Sequence, residues 1–218
     1  MKKTNTEINP IEQYFEWWLE DMVRANYIAS FKREPETLMV APSLEYGRYK
    51  RFKSKEKEVE VFNIFLEINY TYDYIIYWNE SAEYLFYEET NESRIFQFGK
   101  PAFIAHRDRE NNVYSILDVK PTNSVQRQGG KVSSAITFPL KQRLLWDGQG
   151  IFVNKVVPIP MGGTGYSSAL FIKTFTPQRY LLTDGGGSMR KIKYQVKTIG
   201  QYALEKSTYI SNLLKHTK

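Results

Sequence analysis

The residues best placed to do chemistry close the stretch Val113–Lys120, V-Y-S-I-L-D-V-K. It reads as a β-strand, apolar and rich in β-branched and aromatic residues, bounded by Asn111 and Asn112 before and Pro121 after. Side chains alternate across a strand, so Asp118 and Lys120 share a face. Asp73 is a second acid in an unexpected place, inside the aromatic run Y-T-Y-D-Y-I-I-Y-W of residues 70–78, because strands are depleted in Asp. Glu12 is a third, on the first helix. Carboxylates converging on one point can hold Mg²⁺ or Mn²⁺, and the Val119 carbonyl can add a ligand beside Asp118. Such a metal acidifies a bound water and offsets phosphate charge, and Lys120 can orient that water. The chemistry would be phosphodiester hydrolysis. Plainer alternatives stand beside each residue. Asp73 can face solvent, Asp118 and Lys120 can be a strand-end ion pair, and the helix dipole alone favours an early Glu, with Glu16 competing for the same role.

Composition limits the alternatives. The chain has 218 residues, 42% hydrophobic and 15% aromatic, which supports a sizeable core. It has no Cys and only two His, His106 and His216, so thiolate and His-rich zinc sites are excluded and a metal would be a hard ion on carboxylates. His106, in A-H-R-D-R, reads as a polar surface residue at a turn. No apolar run approaches the roughly 18 residues of a membrane span, and the polar start lacks a signal-peptide core. A soluble cytoplasmic protein is expected, in the host cytoplasm if phage-encoded, with no membrane partner.

The net charge of +6 is unevenly spread. Residues 1–119 hold 15 Lys+Arg against 21 Asp+Glu, whereas residues 120–218 hold 15 against 3. A half so poor in acids attracts polyanions, and DNA is the expected partner. Arg127, Lys131, Arg143, Arg190, Lys191 and Lys193 are the candidate phosphate contacts. A merely solubilising basic surface is the plain alternative.

The elements that must position these groups follow from pattern. A helix is expected over about Pro10–Ile28, with Asn9 as cap, Pro10 in the first turn, and Tyr14, Phe15, Trp18, Met22 and Tyr27 on its apolar face. Strands are expected at Thr37–Pro42, Val61–Glu67, Tyr70–Trp78, Tyr84–Tyr87, Phe103–His106 and Val113–Val119, with a solvated hairpin or loop over 49–60 and a polar loop over 88–100. A mobile loop over 121–135 precedes a helix at Thr137–Trp146 and a strand at Ile151–Ile159. A Gly-rich turn leads to strands at 169–175 and 179–182, a second Gly-rich turn to a strand at 189–197, and a helix over about 199–214 closes the chain. The Gly-rich turns lack the strand-to-helix setting and the Lys-Ser/Thr ending of a P-loop, so nucleotide binding is not expected. Trp17, Trp18 and Trp78 read as core. The expected fold is α/β, a mixed central sheet flanked by helices, with a basic β-rich C-terminal extension and a final helix.

Taken together, E-Q-Y-F-E-W-W-L-E-D-M on the first helix, Y-T-Y-D-Y-I-I-Y-W, D-V-K and the following L-K-Q-R-L-L resemble the PD-(D/E)xK nuclease superfamily. Small phage-borne nucleases and the endonuclease subunit of some transposition systems are the nearest likenesses. The resemblance implies a restriction-endonuclease-like core over residues 10–160 with an insertion near 79–110; it does not cover residues 161–218, which read as a basic C-terminal extension. It implies Mg²⁺-dependent DNA cleavage in phage DNA processing, recombination or junction resolution, with Lys141 and Gln142 supporting the site, and a possible homodimer. Two departures from the pattern are Tyr72, where the motif's name-giving Pro would stand, and the long interval between Asp73 and Asp118. Two other classes fit the same chain: a non-catalytic nucleic-acid-binding module and a virion or assembly protein.

Overall fold

The computed structural model describes residues 10–33, 36–49, 59–90, 96–120, 134–158, 174–182 and 196–216. Helix α1 (Pro10–Arg24) opens it. Phe15, Trp18, Leu19 and Met22, at the i, i+3, i+4, i+7 spacing of one helical face, are fully buried. The helix ends four residues earlier than its apolar pattern suggests. Asn26 adopts the left-handed conformation (φ 59°), Tyr27 N–H reaches Met22 C=O and Asn26 N–H reaches Val23 C=O. That pair of bonds is a Schellman stop, in which Asn substitutes for Gly.

The chain then runs through β1 (Ile28–Arg33), β2 (Thr37–Ala41), β3 (Leu44–Tyr49), β4 (Val59–Phe65), β5 (Ile68–Thr71), β6 (Tyr74–Trp78), β7 (Tyr87–Glu89), β8 (Phe103–Arg107) and β9 (Val113–Val119). Helix α2 (Ser134–Gln149), β10 (Val153–Val156), the short α3 (Gln178–Leu181) and α4 (Ile199–His216) follow. The central sheet is mixed and six-stranded, in the order β1-β6-β9-β8-β7. Strand β10 lies parallel to the C-terminal half of β9, and β8 is antiparallel to its start. Asn154, on β10, bridges the junction: its amide pairs with both the N–H and the C=O of Ile104 on β8 and reaches Ile116 C=O on β9. Two ribbons, β2–β5 and β3–β4, stand off this sheet.

Strand β9 is buried almost throughout, and its alternation divides the interior. Leu117 and Val119 face α1 with Trp18, Tyr74 and Ile76. Ile116 faces a second cluster with Val40, Tyr70, Phe138 and Leu145 under α2. Asp118 belongs by alternation to this second face. Residues 79–110 supply β7 and β8 of the central sheet. Phe175, Tyr180 and Tyr202, from beyond residue 160, pack in the α1-side core.

Several elements differ from the sequence pattern. The run 70–78 is two strands, not one, broken at residues 72–73. Residues 84–86 form a turn with Tyr84 at φ 62°, and β7 begins at Tyr87, extending to Glu89 in what reads as loop. Residues 178–181 are helical rather than extended, because Pro177 C=O accepts the Tyr180 N–H and Asp21 on α1 accepts the Gln178 N–H at 2.7 Å. The expected cap Asn9, loop 121–133, Gly-rich turns and most of the strands at 169–175 and 189–197 lie outside the described residues. No helix among the described residues is long and apolar enough to cross a membrane.

Candidate active site

Asp73 sits where the chain leaves the β2–β5 ribbon and enters the central sheet. Its N–H donates to Leu117 C=O at 3.1 Å, extending the β6–β9 ladder by one residue. Its carboxylate turns back over the end of β9 and accepts the Val119 N–H at 2.6 Å. Two bonds to one neighbouring strand fix both ends of the residue. The break in the strand is therefore what aims this acid, which an uninterrupted strand would not do.

Asp118, one residue before that amide, is fully buried. Its Oδ2 accepts the Tyr70 hydroxyl. Its Oδ1 lies 2.7 Å from the Lys120 ammonium, yet takes no hydrogen bond of acceptable direction. The Lys120 contact is thus an ion pair that leaves lone-pair capacity on a buried oxygen. Burial, then a hydrogen bond and charge shared with Asp118, push the Asp73 carboxyl up to about 7, against the pull of the Val119 amide and Lys120. Burial, reinforced by the Asp118 charge, raises the Tyr70 phenol strongly, so it stays a donor. Two carboxyls held together in a poorly solvated place are a standing demand for positive charge, which Lys120 meets in part.

The β2–β5 ribbon meets the cluster through Tyr70, and α2 packs on that ribbon. Lys141, on α2, donates to Asn69 C=O at 2.9 Å and lies 5.6 Å from the Tyr70 ring centre. Lys155, on β10, is in register with Asp118 and shares its face, its ammonium 5.9 Å from the Phe138 ring. Tyr70 and Phe138 are themselves neighbours, 6.3 Å between ring centres. Of these lysines, Lys120 contacts the acid pair, while Lys141 and Lys155 lie against the aromatic rings of Tyr70 and Phe138.

The expected site residues part company here. Asp73, Asp118, Lys120 and the backbone of Val119 come together, Val119 through its amide. Glu12 does not join them: it pairs with Arg33 on the α1 side of the sheet, where Glu16 also meets Arg33 at 3.3 Å and accepts the Tyr74 hydroxyl at 3.2 Å. Among the described residues no group of three or more acids, His or Cys is placed to hold a metal, so the cluster's acids are two. Gln142 turns away, donating to Val153 C=O at 2.5 Å. It lines a separate cavity of about 430 Å³ with Ile104, Arg143, Trp146 and Phe152, which includes none of the acid pair. Arg143 is exposed and paired with Asp147 at 2.5 Å. Arg127, Lys131, Arg190, Lys191 and Lys193 lie outside the described residues. His106 is not a surface residue: it is buried, its Nε2 accepts the Phe152 N–H at 2.9 Å, and burial lowers its pKa.

Tyr70 and Lys155 escaped the sequence reading. Lys155 carried a legible signal, a lone cation in the apolar strand I-F-V-N-K-V-V. Tyr70 carried none, because its role depends on the ribbon crossing over β9. No protein-family model matches the chain, and neither a curated protein nor a solved structure matches it.

Proposed function

We propose that this protein is a divalent-metal-dependent endodeoxyribonuclease with a PD-(D/E)xK-type site on a restriction-endonuclease-like core. The observation that carries the reading is the pairing of Asp73 with Asp118 at the ends of neighbouring strands, with Lys120 2.7 Å from Asp118. The residues fit a hard divalent ion. Mg²⁺ is commonly held by one or two carboxylates, the rest of its shell being water and substrate phosphate. Asp73 and Asp118 would hold it, and the buried Asp118 Oδ1 has lone-pair capacity left. When bound, Mg²⁺ or Mn²⁺ supplies Lewis acidity towards the phosphodiester and a more acidic water.

The chain's own residues account for the rest. Tyr70 holds Asp118 in one orientation through its hydroxyl. The Val119 amide does the same for Asp73. Lys120 lies beside the acids and offsets negative charge growing on the phosphate under attack. Lys141, against the Tyr70 ring, and Lys155, in register with Asp118, would contact substrate phosphates. The basic bias of residues 120–218 supports a DNA substrate. Phage DNA processing, recombination and junction resolution are the roles this activity would serve.

A second reading, a non-catalytic nucleic-acid-binding module, draws on the engagement of Glu12 with Arg33, which leaves the pair without a third acid. The test is incubation with supercoiled, linear and branched DNA in Mg²⁺, Mn²⁺ or EDTA, beside Asp118→Ala. Metal-dependent nicking lost in the variant is the expected result. Binding without cleavage would transfer the assignment to the second reading, and neither binding nor cleavage would favour an assembly role.

A further inference from the structure

We propose, resting on the DNA substrate proposed above, that the cavity beside α2 is a pocket for one unpaired nucleobase. The substrate would then have single-stranded character close to the cut. The cavity measures about 430 Å³, within the range of small-molecule sites. Gln142, Arg143 and Trp146 line it from α2, Ile104 from β8, and Phe96 and Phe152 from the connections that lead into β8 and β10. Three of these six are aromatic, and each of the three is only half-buried. A ring half exposed inside a concavity favours a flat apolar partner, and every base has a π-face to stack on it.

The walls are ordered without a ligand. Phe152 is fixed through its backbone, its N–H donating to the buried His106 Nε2 at 2.9 Å. Trp146 stands edge-on to Phe152, the ring centres 6.3 Å apart at 82°. The turn between them is tied to α2 by Gly150 N–H to Trp146 C=O at 2.9 Å and Ile151 N–H to Leu145 C=O at 3.3 Å. Gln142 donates its amide N–H to Val153 C=O at 2.5 Å, which leaves its carbonyl oxygen as an acceptor for a base-edge N–H. A site whose rings and amide are already placed loses little freedom on binding.

Two features select a base of a DNA strand as the occupant. The first is position. Ile104 lies on the Asp118 face of the sheet, because its neighbours Phe103 and Ala105 belong to the α1-side core. Phe152 comes three residues before Lys155, the register partner of Asp118, a reach of at most about 11 Å. At roughly 3.4 Å for each stacked nucleotide, the pocket takes a base about three nucleotides from the acid pair, near the cut but not at it. The second is charge. No acid is among the described lining residues. Arg143 lines the cavity with its side chain 72% exposed, which sets a cation at the mouth. Its pair with the exposed Asp147 is a weak surface contact that a strand phosphate can replace.

Fluorescence anisotropy of labelled single-stranded 12-mers, with the full chain in EDTA at low salt, tests this. A deoxycytidine 12-mer should bind at least about fivefold more tightly than an abasic 12-mer with the same phosphates. Phe152→Leu keeps an apolar side chain and the N–H to His106 but removes the ring. It should erase the preference while the abasic affinity and its salt dependence stay unchanged, and Phe152→Tyr should keep the preference. In wild type, a single 5-iodocytosine in the strand should photocrosslink to the peptide holding Phe152 or Phe96. Equal binding of the two 12-mers, a preference that survives Phe152→Leu, or crosslinks confined to other peptides overturn the pocket and leave the nuclease reading standing. Failure of both 12-mers to bind overturns the pocket together with the DNA substrate on which it rests.

Discussion

Replacing Asp73 by Asn should make the fold more stable near neutral pH and leave it little changed in acid. In the folded chain the Asp73 carboxyl is held up to about 7, against an ordinary value of 3.8. Below about pH 3.8 it is protonated in both states and costs nothing. As pH rises from there to about 7, the unfolded chain releases the proton and the folded chain keeps it, so stability falls. Above about 7 the loss is complete and constant. The full difference corresponds to roughly 4 kcal/mol, and because Asp73 is only partly buried we take about half, on the order of 2 kcal/mol. The amide introduced by Asp73→Asn would keep an oxygen for the Val119 N–H and would not titrate. Urea unfolding of both proteins at several pH values, without divalent metal, measures this. The stability of the variant relative to wild type should rise by about 2 kcal/mol between about pH 4 and 7.5. A difference that is flat with pH, or one that favours wild type as pH rises, would refute the claim that two carboxyls share this poorly solvated place.

Asn154→Ala should destabilise the protein by about 2–4 kcal/mol, because it strips partners from the N–H and C=O of Ile104 at a buried strand junction, and the urea midpoint would show it. Lys155→Gln should weaken DNA binding measured in EDTA at low salt and flatten the dependence of log K on log salt by about one, as for one lost phosphate contact, with Lys155→Arg restoring it. An unchanged slope would make Lys155 a structural cation resting on Phe138.

The order of helices and strands was legible wherever a single period governed burial. The face Phe15, Trp18, Leu19, Met22 and the buried strand Val113–Val119 are such cases. What the pattern could not show was backbone conformation imposed by one residue, as Asn26 stopping α1 or Tyr84 opening a turn. It also could not show a strand broken by tertiary bonds, and Asp73 is the important instance. Its aromatic neighbours read as one continuous strand. The two bonds to Leu117 and Val119 divide that strand into β5 in the ribbon and β6 in the sheet. Asp118 and Lys120 could be paired from alternation alone, because Lys120 directly follows β9 and continues its ladder through Lys120 N–H to Val156 C=O. Tyr70, Lys155 and Asn154 act across strands far apart in sequence, and pairing register is not written in any local pattern. Glu12 illustrates the converse, an acid in the expected place on α1 whose carboxylate meets Arg33 from β1 instead.

The claim on which the rest depends is that Asp73 and Asp118 form a divalent-metal centre. Electron paramagnetic resonance of Mn²⁺ added to the purified chain measures it directly. Bound Mn²⁺ should saturate in wild type, be displaced by Mg²⁺, and be lost in both Asp73→Asn and Asp118→Asn while Glu12→Gln retains it. Mn²⁺ binding that survives in both Asp variants, or no binding in a folded wild type with or without DNA, would contradict the account.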